Sequence, residues 1–202
     1  MIKAVIFDYG GVIERGLKRF PIRKIARAYG LPKQEVLLTM RPALSLFRRG
    51  LISEKQFWKQ ASSLSIGRPI PQNALHLFSD GQKKSFYVYP TMVKLISKLK
   101  QSGIKTAVLS NVIKPHALIT ISHGGYRYFD HVILSYKVHL EKPNPDIYHL
   151  ATKKLEVKPQ ECIFVDDLER NLVTARKLKM KTVLCSGPRK TIRAINQLLN
   201  NR

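Results

Sequence analysis

The sequence predicts an α/β fold in which a parallel sheet carries a bundle of helices inserted after its first strand. Two observations lead to this prediction. From Val88 onward, short apolar segments of strand length alternate with amphipathic segments of helix length, which is typical of βαβ units. Between the first strand and this region lie about seventy residues whose apolar positions recur at helical spacing.

The first strand is predicted at residues 2–7, an apolar run that stops at Asp8 and is soon followed by the pair Gly10 and Gly11. A buried strand that stops at a carboxylate delivers that acid to the edge of the sheet, where the ligands of α/β folds bind. Asp8 is therefore the first candidate for chemistry. Two residues further on, where a second acid would assist Asp8, Gly10 has no side chain.

The inserted segment is predicted to contain four helices. They are expected at residues 20–29, at residues 33–47 with a kink near Pro42, from a capping-box-like start at residues 53–56, and at residues 71–78. Phe47, Phe57 and Trp58 stand at helical spacing, so we expect them to form the core of this bundle rather than to line a substrate pocket.

The rest of the chain supplies the other strands and helices. Strands are predicted at residues 104–109, 132–134, 162–165 and 182–185, and helices at residues 90–101, 115–122, 145–154, 169–178 and 191–199. Because the first strand belongs with these elements, residues 1–15 and 89–202 are expected to form the α/β core. Residues 16–88 are then an insertion above the carboxyl end of the sheet.

The charge balance is unusual, because 36 Lys and Arg residues stand against 13 Asp and Glu residues and give a formal net charge of +23. Such a surface attracts polyanions. The excess is nevertheless spread along the chain, with no long basic block and no recognisable nucleic-acid module. The sequence therefore favours a solvated basic surface suited to anionic metabolites, and nucleic-acid binding is the alternative.

Cysteine usage and hydropathy narrow the class of protein further. Cys162 and Cys185 each stand in an apolar segment and are expected to pack in the core, because they give neither a disulfide framework nor a metal-binding spacing. No apolar run approaches the roughly 18 residues of a membrane span. The sequence therefore predicts a cytoplasmic protein without a membrane partner.

Polar side chains follow the predicted strands at one common edge of the sheet. They are Asp8 after the first strand, Ser110 and Asn111 after the second, Lys142 shortly before a proline-started helix, and Asp166 and Asp167 with Asn171 after the fourth. An ammonium near a helix N-terminus is a favourable place for an anion. Adjacent carboxylates repel each other unless a cation or a ligand pairs with them.

In this order and at these spacings, the residues resemble the four-part signature of phosphatases in the haloacid dehalogenase superfamily. The matching parts are Val5-Ile6-Phe7-Asp8, Leu109-Ser110-Asn111, Lys142-Pro143 and Val165-Asp166-Asp167 followed by Asn171. The resemblance covers nearly the whole chain and implies a Rossmann-like, doubly wound parallel core with a helical cap inserted just after the nucleophile. Residues 47–58 are similar to a recurrent stretch of that cap, and Asp8-Tyr9-Gly10-Gly11 is similar to the motif of sugar-1-phosphate phosphatases.

The resemblance implies an enzyme that hydrolyses small phosphomonoesters such as sugar phosphates. Asp8 is expected to attack phosphorus and form an aspartyl-phosphate, which water then cleaves. Mg²⁺ is the implied cofactor, held by Asp8, the backbone carbonyl of Gly10 and Asp167, with Asp166 either on the ion or directly behind its ligands.

The same resemblance assigns residues to the phosphoryl group of this small anionic substrate. Ser110 and Lys142 are expected to bind its oxygens, and Lys142 also offsets the charge of Asp8. Asn111 is expected to add a donor to the phosphate or to the rest of the substrate. Asn171 is expected to orient the loop that carries the acid pair.

The sequence departs from the family's pattern at two positions. Most of these phosphatases have a second Asp where this chain has Gly10, and it protonates the leaving alkoxide, a contribution of about 10²–10⁴-fold. We therefore expect slower turnover, or a preference for good leaving groups such as an anomeric oxygen. The second departure is His139, where related sequences often have Gly. A packed or surface loop histidine is the default interpretation, and the sharper hypothesis is that His139 or another cap-facing group supplies the missing proton.

Substrate contacts and two alternative functions stay open at this point. The basic candidates for substrate contact are Arg15, Lys18, Arg19, Arg23, Arg48 and Arg49. A 2-haloacid dehalogenase of the same superfamily also lacks an acid at position 10, but it lacks an acid pair such as Asp166 and Asp167 as well. A catalytically weakened relative that binds nucleic acid or acidic partners is the second alternative.

Overall fold

The structure is a computed structural model that describes residues 1–15, 26–27, 30–65 and 86–200. The helix predicted at residues 71–78 lies outside these ranges, as does most of the helix predicted at residues 20–29. So do three of the basic candidates for substrate contact, Lys18, Arg19 and Arg23. Within the described ranges, no helix combines the length and the apolar character that crossing a bilayer requires.

Five parallel strands form one sheet, as predicted. They are β1 (Ala4–Phe7), β2 (Lys105–Ser110), β3 (His131–Leu134), β4 (Cys162–Asp166) and β5 (Lys181–Leu184). Their order in the sheet is β3-β2-β1-β4-β5. The chain builds outward from β1 to β3 on one side and then crosses β1 to add β4 and β5 on the other. This is a doubly wound sheet whose strand order reverses between β1 and β4, where such folds open a crevice at their carboxyl ends.

Eight helices of the described residues flank or cap this sheet. They are α1 (Lys33–Arg48), α2 (Glu54–Ser65), α3 (Pro90–Gln101), α4 (Lys114–Ser122), α5 (Ser135–Val138), α6 (Pro145–Leu155), α7 (Glu169–Lys177) and α8 (Pro188–Asn200), with a short 3₁₀ turn at Pro159–Glu161. Six of them match helices predicted from the sequence to within three residues at each described end, and α5 was not predicted. The helix α1 continues through Pro42.

Strand β1 is buried on both sides because helices cover both faces of the sheet. Its side chains alternate between two cores: Val5 and Phe7 pack with α3 and α8, and Ala4 and Ile6 pack with α6 and α7. A strand covered on both faces has no polar face to show. This explains why the sequence of β1 is a continuous apolar run rather than an alternation of apolar and polar residues.

The two described helices of the insertion pack against each other through aromatic side chains. Phe57 stacks on Phe47 at 5.1 Å between ring centroids and meets Trp58 edge-on at the same distance. All three are buried, as predicted for the core of the bundle. Ile113, which follows β2, joins this cluster and connects it to the sheet domain.

The start of α2 confirms the predicted capping box. The backbone N–H of Gln56 donates to Oγ of Ser53 at 3.2 Å, and the backbone N–H of Ser53 donates to Oε1 of Gln56 at 2.8 Å. The two side chains thus satisfy donors that a helix start leaves without intrahelical partners.

The chain leaves the sheet domain and returns to it side by side. Glu14 and Val88 form an antiparallel bridge, the N–H of Arg15 donates to the carbonyl of Tyr87 at 2.9 Å, and the N–H of Tyr89 donates to the carbonyl of Ile13 at 2.9 Å. Glu14 is only 4% exposed here. Burial raises the pKa of its carboxyl to about 7, although the charge of His123 opposes the shift.

Candidate active site

Three carboxylates meet at the carboxyl end of the sheet, at the point where the strand order reverses. Asp8 follows β1 and Asp166 ends β4, and these strands are neighbours with Phe7 paired to Val165. One carboxylate oxygen from each of Asp8, Asp166 and Asp167 lies within 4.8 Å of the other two. The structure therefore brings together the three acids that the sequence singled out.

The ammonium of Lys142 is buried between two of these acids. Its Nζ lies 3.0 Å from Oδ1 of Asp8 and 2.7 Å from Oδ2 of Asp166. Lys142 is only 3% exposed. Burial alone would favour the neutral amine, but the charges of Asp8 and Asp166 outweigh it and raise the pKa of Lys142 above its usual value. The group is therefore a fixed positive charge beside Asp8.

The cluster carries more negative than positive charge. Burial raises the pKa of Asp8 to about 7, with Lys142 acting against the shift and the charges of Asp166 and Asp167 adding to it. Burial and the charge of Asp166 also raise the pKa of Asp167. Three carboxylates against one ammonium leave a net charge of −2 when all are ionised. A set of oxygen donors with this charge suits a hard divalent cation such as Mg²⁺.

Asp166 is the structural anchor of the cluster, because protein donors surround both of its oxygens. Oδ1 accepts the backbone N–H of Leu168 at 2.8 Å and Nδ2 of Asn171 at 3.0 Å. Oδ2 accepts Nζ of Lys142 at 2.7 Å and shares Nδ2 of Asn171 at 3.0 Å. Asn171 thus holds the loop of the acid pair. The oxygens of Asp166 accept hydrogen bonds from protein groups and so fix the positions of Leu168, Asn171 and Lys142.

Asp167 is the solvent-accessible acid of the pair and faces the loop after Asp8. A Cβ built on Gly11 would lie 2.5 Å from Oδ2 of Asp167, whereas a Cβ built on Gly10 would meet no atom within 4 Å. The two glycines therefore differ. Gly11 is required by the close approach of Asp167, and Gly10 leaves open space in which a side chain fits.

The two polar residues after β2 lie in different surroundings. Ser110 is buried at the end of the strand, and because Val108 pairs with Phe7, Ser110 stands one position beyond the neighbour of Asp8. Asn111 exchanges two hydrogen bonds of 2.8 Å with the main chain of Lys142, accepting its N–H and donating to its carbonyl. Asn111, which the sequence predicts at the phosphate, thus also holds the main chain of Lys142.

Glu141, which sequence reasoning did not single out, joins the end of α1 to the segment that carries Lys142. Its Oε1 accepts a hydrogen bond of 2.6 Å from Oγ of Ser45, and its Oε2 lies 2.9 Å from Nε of Arg48. In the sequence, only its position directly before Lys142 indicates a role at the site, because both of its partners are more than ninety residues away. Arg48 is thereby paired within the protein.

Two further side chains contact the main chain at the end of α1. Oγ of Ser135 donates to the carbonyl of Arg48 at 2.6 Å and also accepts the N–H of Val112 at 2.9 Å. The Nδ1 of His139 lies 2.8 Å from the carbonyl of Arg49. His139 is exposed and has the left-handed conformation, with φ of 59°. The ring of His139 therefore contacts the main chain of the turn after α1. Nothing in the sequence around Ser135 indicates its contact with Arg48.

A model of the haloacid dehalogenase-like hydrolase family matches residues 2–179. The chain belongs to this family. Its curated relatives include acyl-CoA dehydrogenase family member 10 of Mus musculus, 32% identical over 55% of this chain and 10% of that protein. The glyceraldehyde 3-phosphate phosphatase of Methanopyrus kandleri is 33% identical over 47% of this chain and 42% of its own length.

Longer matches exist at lower identity. Hexitol phosphatase A of Escherichia coli is 23% identical over 95% of this chain and 86% of its own. A HAD-like family hydrolase from Porphyromonas gingivalis superposes with a TM-score of 0.76 at 25% identity, covering 100% of both chains. A HAD family enzyme from Bacteroides thetaiotaomicron in complex with magnesium and inorganic phosphate gives 0.71 at 21% identity, covering 91% of this chain and 94% of that one. The family's α/β fold is therefore shown over nearly the whole chain.

Proposed function

We propose that this hydrolase is a Mg²⁺-dependent phosphatase of small phosphomonoesters, with Asp8 as the nucleophile. The observation that carries the proposal is the contact of Asp8 with the buried ammonium of Lys142 at 3.0 Å, inside a cluster of three acids. A dianionic phosphate approaches a carboxylate only where positive charge offsets both groups. Relatives whose names specify phosphate esters, glyceraldehyde 3-phosphate phosphatase and hexitol phosphatase A, support the same substrate class.

In the proposed reaction, a carboxylate oxygen of Asp8 attacks phosphorus and the ester oxygen leaves with the bonding electron pair. The P–O bond to the alcohol breaks as the bond to Asp8 forms, which gives an aspartyl-phosphate and the alcohol after protonation. Water then attacks the phosphorus, releases inorganic phosphate and restores the carboxylate of Asp8. Lys142 and Ser110 bind the phosphoryl oxygens during both steps, and Asn111 keeps Lys142 in place through its main chain.

Mg²⁺ fits the donor set of this site. Asp8, the backbone carbonyl of Gly10 and the accessible Asp167 are the proposed ligands. Asp166 stands behind them, because its own oxygens are already occupied by Leu168, Asn171 and Lys142. The bound ion neutralises negative charge on the transferring phosphoryl group and on the carboxylates.

The proposed enzyme has no acid side chain at position 10 to protonate the leaving group. Esters whose alcohols leave readily, such as anomeric phosphates and aryl phosphates, are therefore the favoured substrates. Sugar phosphates with an anomeric phosphate form the first class to examine.

The test is a phosphate-release screen over sugar phosphates, nucleotides and cofactor phosphates with Mg²⁺, together with p-nitrophenyl phosphate. Asp8→Asn is expected to abolish turnover, and Asp146→Asn, an exposed acid in the first turn of α6, is the matched control that is expected to retain it. Chelation by EDTA is expected to stop the reaction, and added Mg²⁺ to restore it. Halide release from a 2-haloacid with no phosphate release would overturn the proposal in favour of a dehalogenase.

A further inference from the structure

Three helices on one side of the sheet contain no acidic residue. The helices α3, α4 and α8 contain no Asp or Glu and carry seven basic residues, Lys94, Lys98, Lys100, Lys114, Arg189, Lys190 and Arg193. All seven are exposed. The apolar faces of these helices pack on one side of the sheet, and α3 and α8 also contact each other. The outer surface of α3 and α8 is therefore basic, whereas α4 exposes the apolar side chains of Leu118 and Ile121.

The opposite layer carries acidic and basic residues in equal number, six of each within residues 145–177. Along α6, α7 and the segment between them, Glu156 pairs with Lys105 at 3.3 Å, Glu161 with Lys3 at 2.6 Å, and Glu169 with Arg176. On the layer of α3, α4 and α8, Lys100 pairs at 2.8 Å with Asp130 of the segment before β3, and the described residues form no ion pair with the other six cations. Cations of the opposite layer, such as Lys153 and Lys177, also lack an ion pair among the described residues, so the two layers differ in net charge and not in the presence of unpaired cations.

One exposed aromatic ring lies just before this layer begins. Tyr87 is 49% exposed and meets Tyr89 edge-on at 5.7 Å between ring centroids, directly before α3 begins at Pro90. The helix α3 leads into the start of β2, and α8 follows the end of β5. Each helix runs antiparallel to that strand, so both helices begin at the carboxyl end of the sheet. Tyr87 and the pair Arg189 and Lys190 therefore stand toward one end of the basic layer.

The cations follow helical spacing from that end. Lys94 and Lys98 are four residues apart on α3, and Arg189 and Arg193 are four apart on α8, so each pair lies along one side of its helix. An exposed aromatic ring next to rows of cations is the arrangement by which proteins hold single-stranded nucleic acid, with bases stacked on the ring and phosphates on the cations. A duplex has no free base face for Tyr87.

We propose that the surface of α3 and α8, together with Tyr87, binds single-stranded nucleic acid. Charge complementarity and the exposed ring both point to this partner. An anionic membrane fits less well, because neither α3 nor α8 exposes a large apolar side chain that would enter a bilayer. The surface does not include the acid cluster around Asp8, so this binding is a separate property from phosphate-ester hydrolysis.

The test measures fluorescence anisotropy of a labelled oligo-dT strand over a range of salt concentrations. The variant Lys94→Gln/Lys98→Gln/Arg189→Gln/Arg193→Gln is expected to weaken binding at least tenfold. It should also reduce the slope of log K against log salt by about 3, at about 0.7 per lost phosphate contact. The matched control, Lys153→Gln/Lys154→Gln/Lys158→Gln/Lys177→Gln on the opposite layer, removes the same charge and is expected to weaken binding by less than about threefold.

The aromatic contribution is tested separately. Tyr87→Ala is expected to weaken oligo-dT binding by about tenfold, because one base loses the ring on which it stacks. The same variant should leave binding of inorganic polyphosphate, which has charge but no bases, unchanged. Equal losses in the two four-residue variants would show that net charge alone acts and would overturn the surface. Loss of polyphosphate and oligo-dT binding to the same degree in Tyr87→Ala would overturn the role of the ring.

Two measurements keep these outcomes independent of the proposed enzyme. The melting temperature of each variant identifies any that fails to fold. Phosphate release by the four-residue surface variant is expected to equal that of the unmodified protein. Tight oligo-dT binding by a protein that hydrolyses no phosphate ester would still support the surface while overturning the phosphatase.

Discussion

The carboxylate of Asp167 lies where a side chain on Gly11 would have to be. Its Oδ2 is 2.5 Å from the position of a Cβ on Gly11, and Gly11 has a φ of +83°, a conformation that favours glycine. The loop that follows Asp8 and the loop that follows β4 therefore fit together only because residue 11 has no side chain. The lack of a side chain at Gly11 lets the loop with Asp8 and the loop with Asp167 contribute to one proposed metal site.

Substitution of Gly11 by alanine is expected to weaken Mg²⁺ binding at this site. The added methyl group must displace Asp167, and the left-handed conformation costs about 1–2 kcal/mol for a residue with a Cβ. Gly30→Ala is the matched control, because Gly30 has a φ of +65° but no atom within 4 Å of its Cβ position. We expect both variants to lose stability in thermal unfolding and only Gly11→Ala to need more Mg²⁺ for half-maximal phosphate release. Equal Mg²⁺ requirements would show that Asp167 does not hold the ion.

Restoring an acid at position 10 is expected to raise turnover of esters with poor leaving groups. The open space around Gly10 admits the side chain of Gly10→Asp, which would then protonate the departing alkoxide. The gain is expected to exceed about tenfold for alkyl phosphates and to be small for p-nitrophenyl phosphate, whose leaving group needs little protonation. Gly10→Asn has nearly the same size without the proton and should give no gain. If the Asp and Asn variants behave alike, proton donation from this position is not what limits the enzyme.

Glu14 is expected to make the protein less stable as the pH rises through neutrality. Because burial raises its pKa from 4.5 to about 7 in the folded state, ionisation is harder in the folded than in the unfolded chain. The penalty is absent below about pH 4.5, grows between pH 4.5 and 7, and is complete above pH 7, where it is on the order of 3 kcal/mol. Glu14→Gln should therefore gain stability relative to the unmodified protein at pH 8 but not at pH 4.5. Urea unfolding at the two pH values measures the difference, and a pH-independent difference would contradict it.

The ion pair of Glu141 and Arg48 is expected to stabilise the docking of α1 on the segment before Lys142. Both side chains are mostly shielded from water, with 17% and 26% exposure, so their interaction is less screened than that of a surface pair. A double-mutant cycle of Glu141→Gln and Arg48→Met, followed by urea unfolding, should give a coupling energy of about 1 kcal/mol or more. The exposed pair Lys105 and Glu156 provides the control cycle and should give less. Equal coupling in the two cycles would mean that burial of the first pair adds nothing.

Local patterns in the sequence predict much of the α/β core and the close approach of the acidic side chains. Apolar runs of strand length that stop at polar residues predict the strands, and the carboxyl ends of parallel strands share one edge, so Asp8 and Asp166 were expected to meet. Helix α5 was missed because Ser135–Val138 is too short to show a helical period. The hydrogen bond of Ser45 to Glu141 joins residues 96 positions apart, and no local pattern encodes such a contact.

The role of Asn111 illustrates a different limit. A polar residue at a strand end is correctly placed by pattern, but whether its amide faces a ligand or a neighbouring loop depends on the path of that loop. Here the segment around Lys142 passes close enough for Asn111 to bind both its N–H and its carbonyl. Sequence spacing locates such a residue at the site without giving its hydrogen-bond partners.

The chain passes from the sheet domain to the insertion at residues 13–15 and returns at residues 87–89, and these two crossings lie side by side. Because the N–H of Tyr89 donates to the carbonyl of Ile13, the gap that the inserted segment must bridge is one hydrogen bond wide whatever the length of that segment. Closing a longer loop across a fixed gap adds little free energy, about 0.6 kcal/mol for each doubling in length. Segments of very different size can therefore be exchanged at this junction while the strand that carries Asp8 keeps its place.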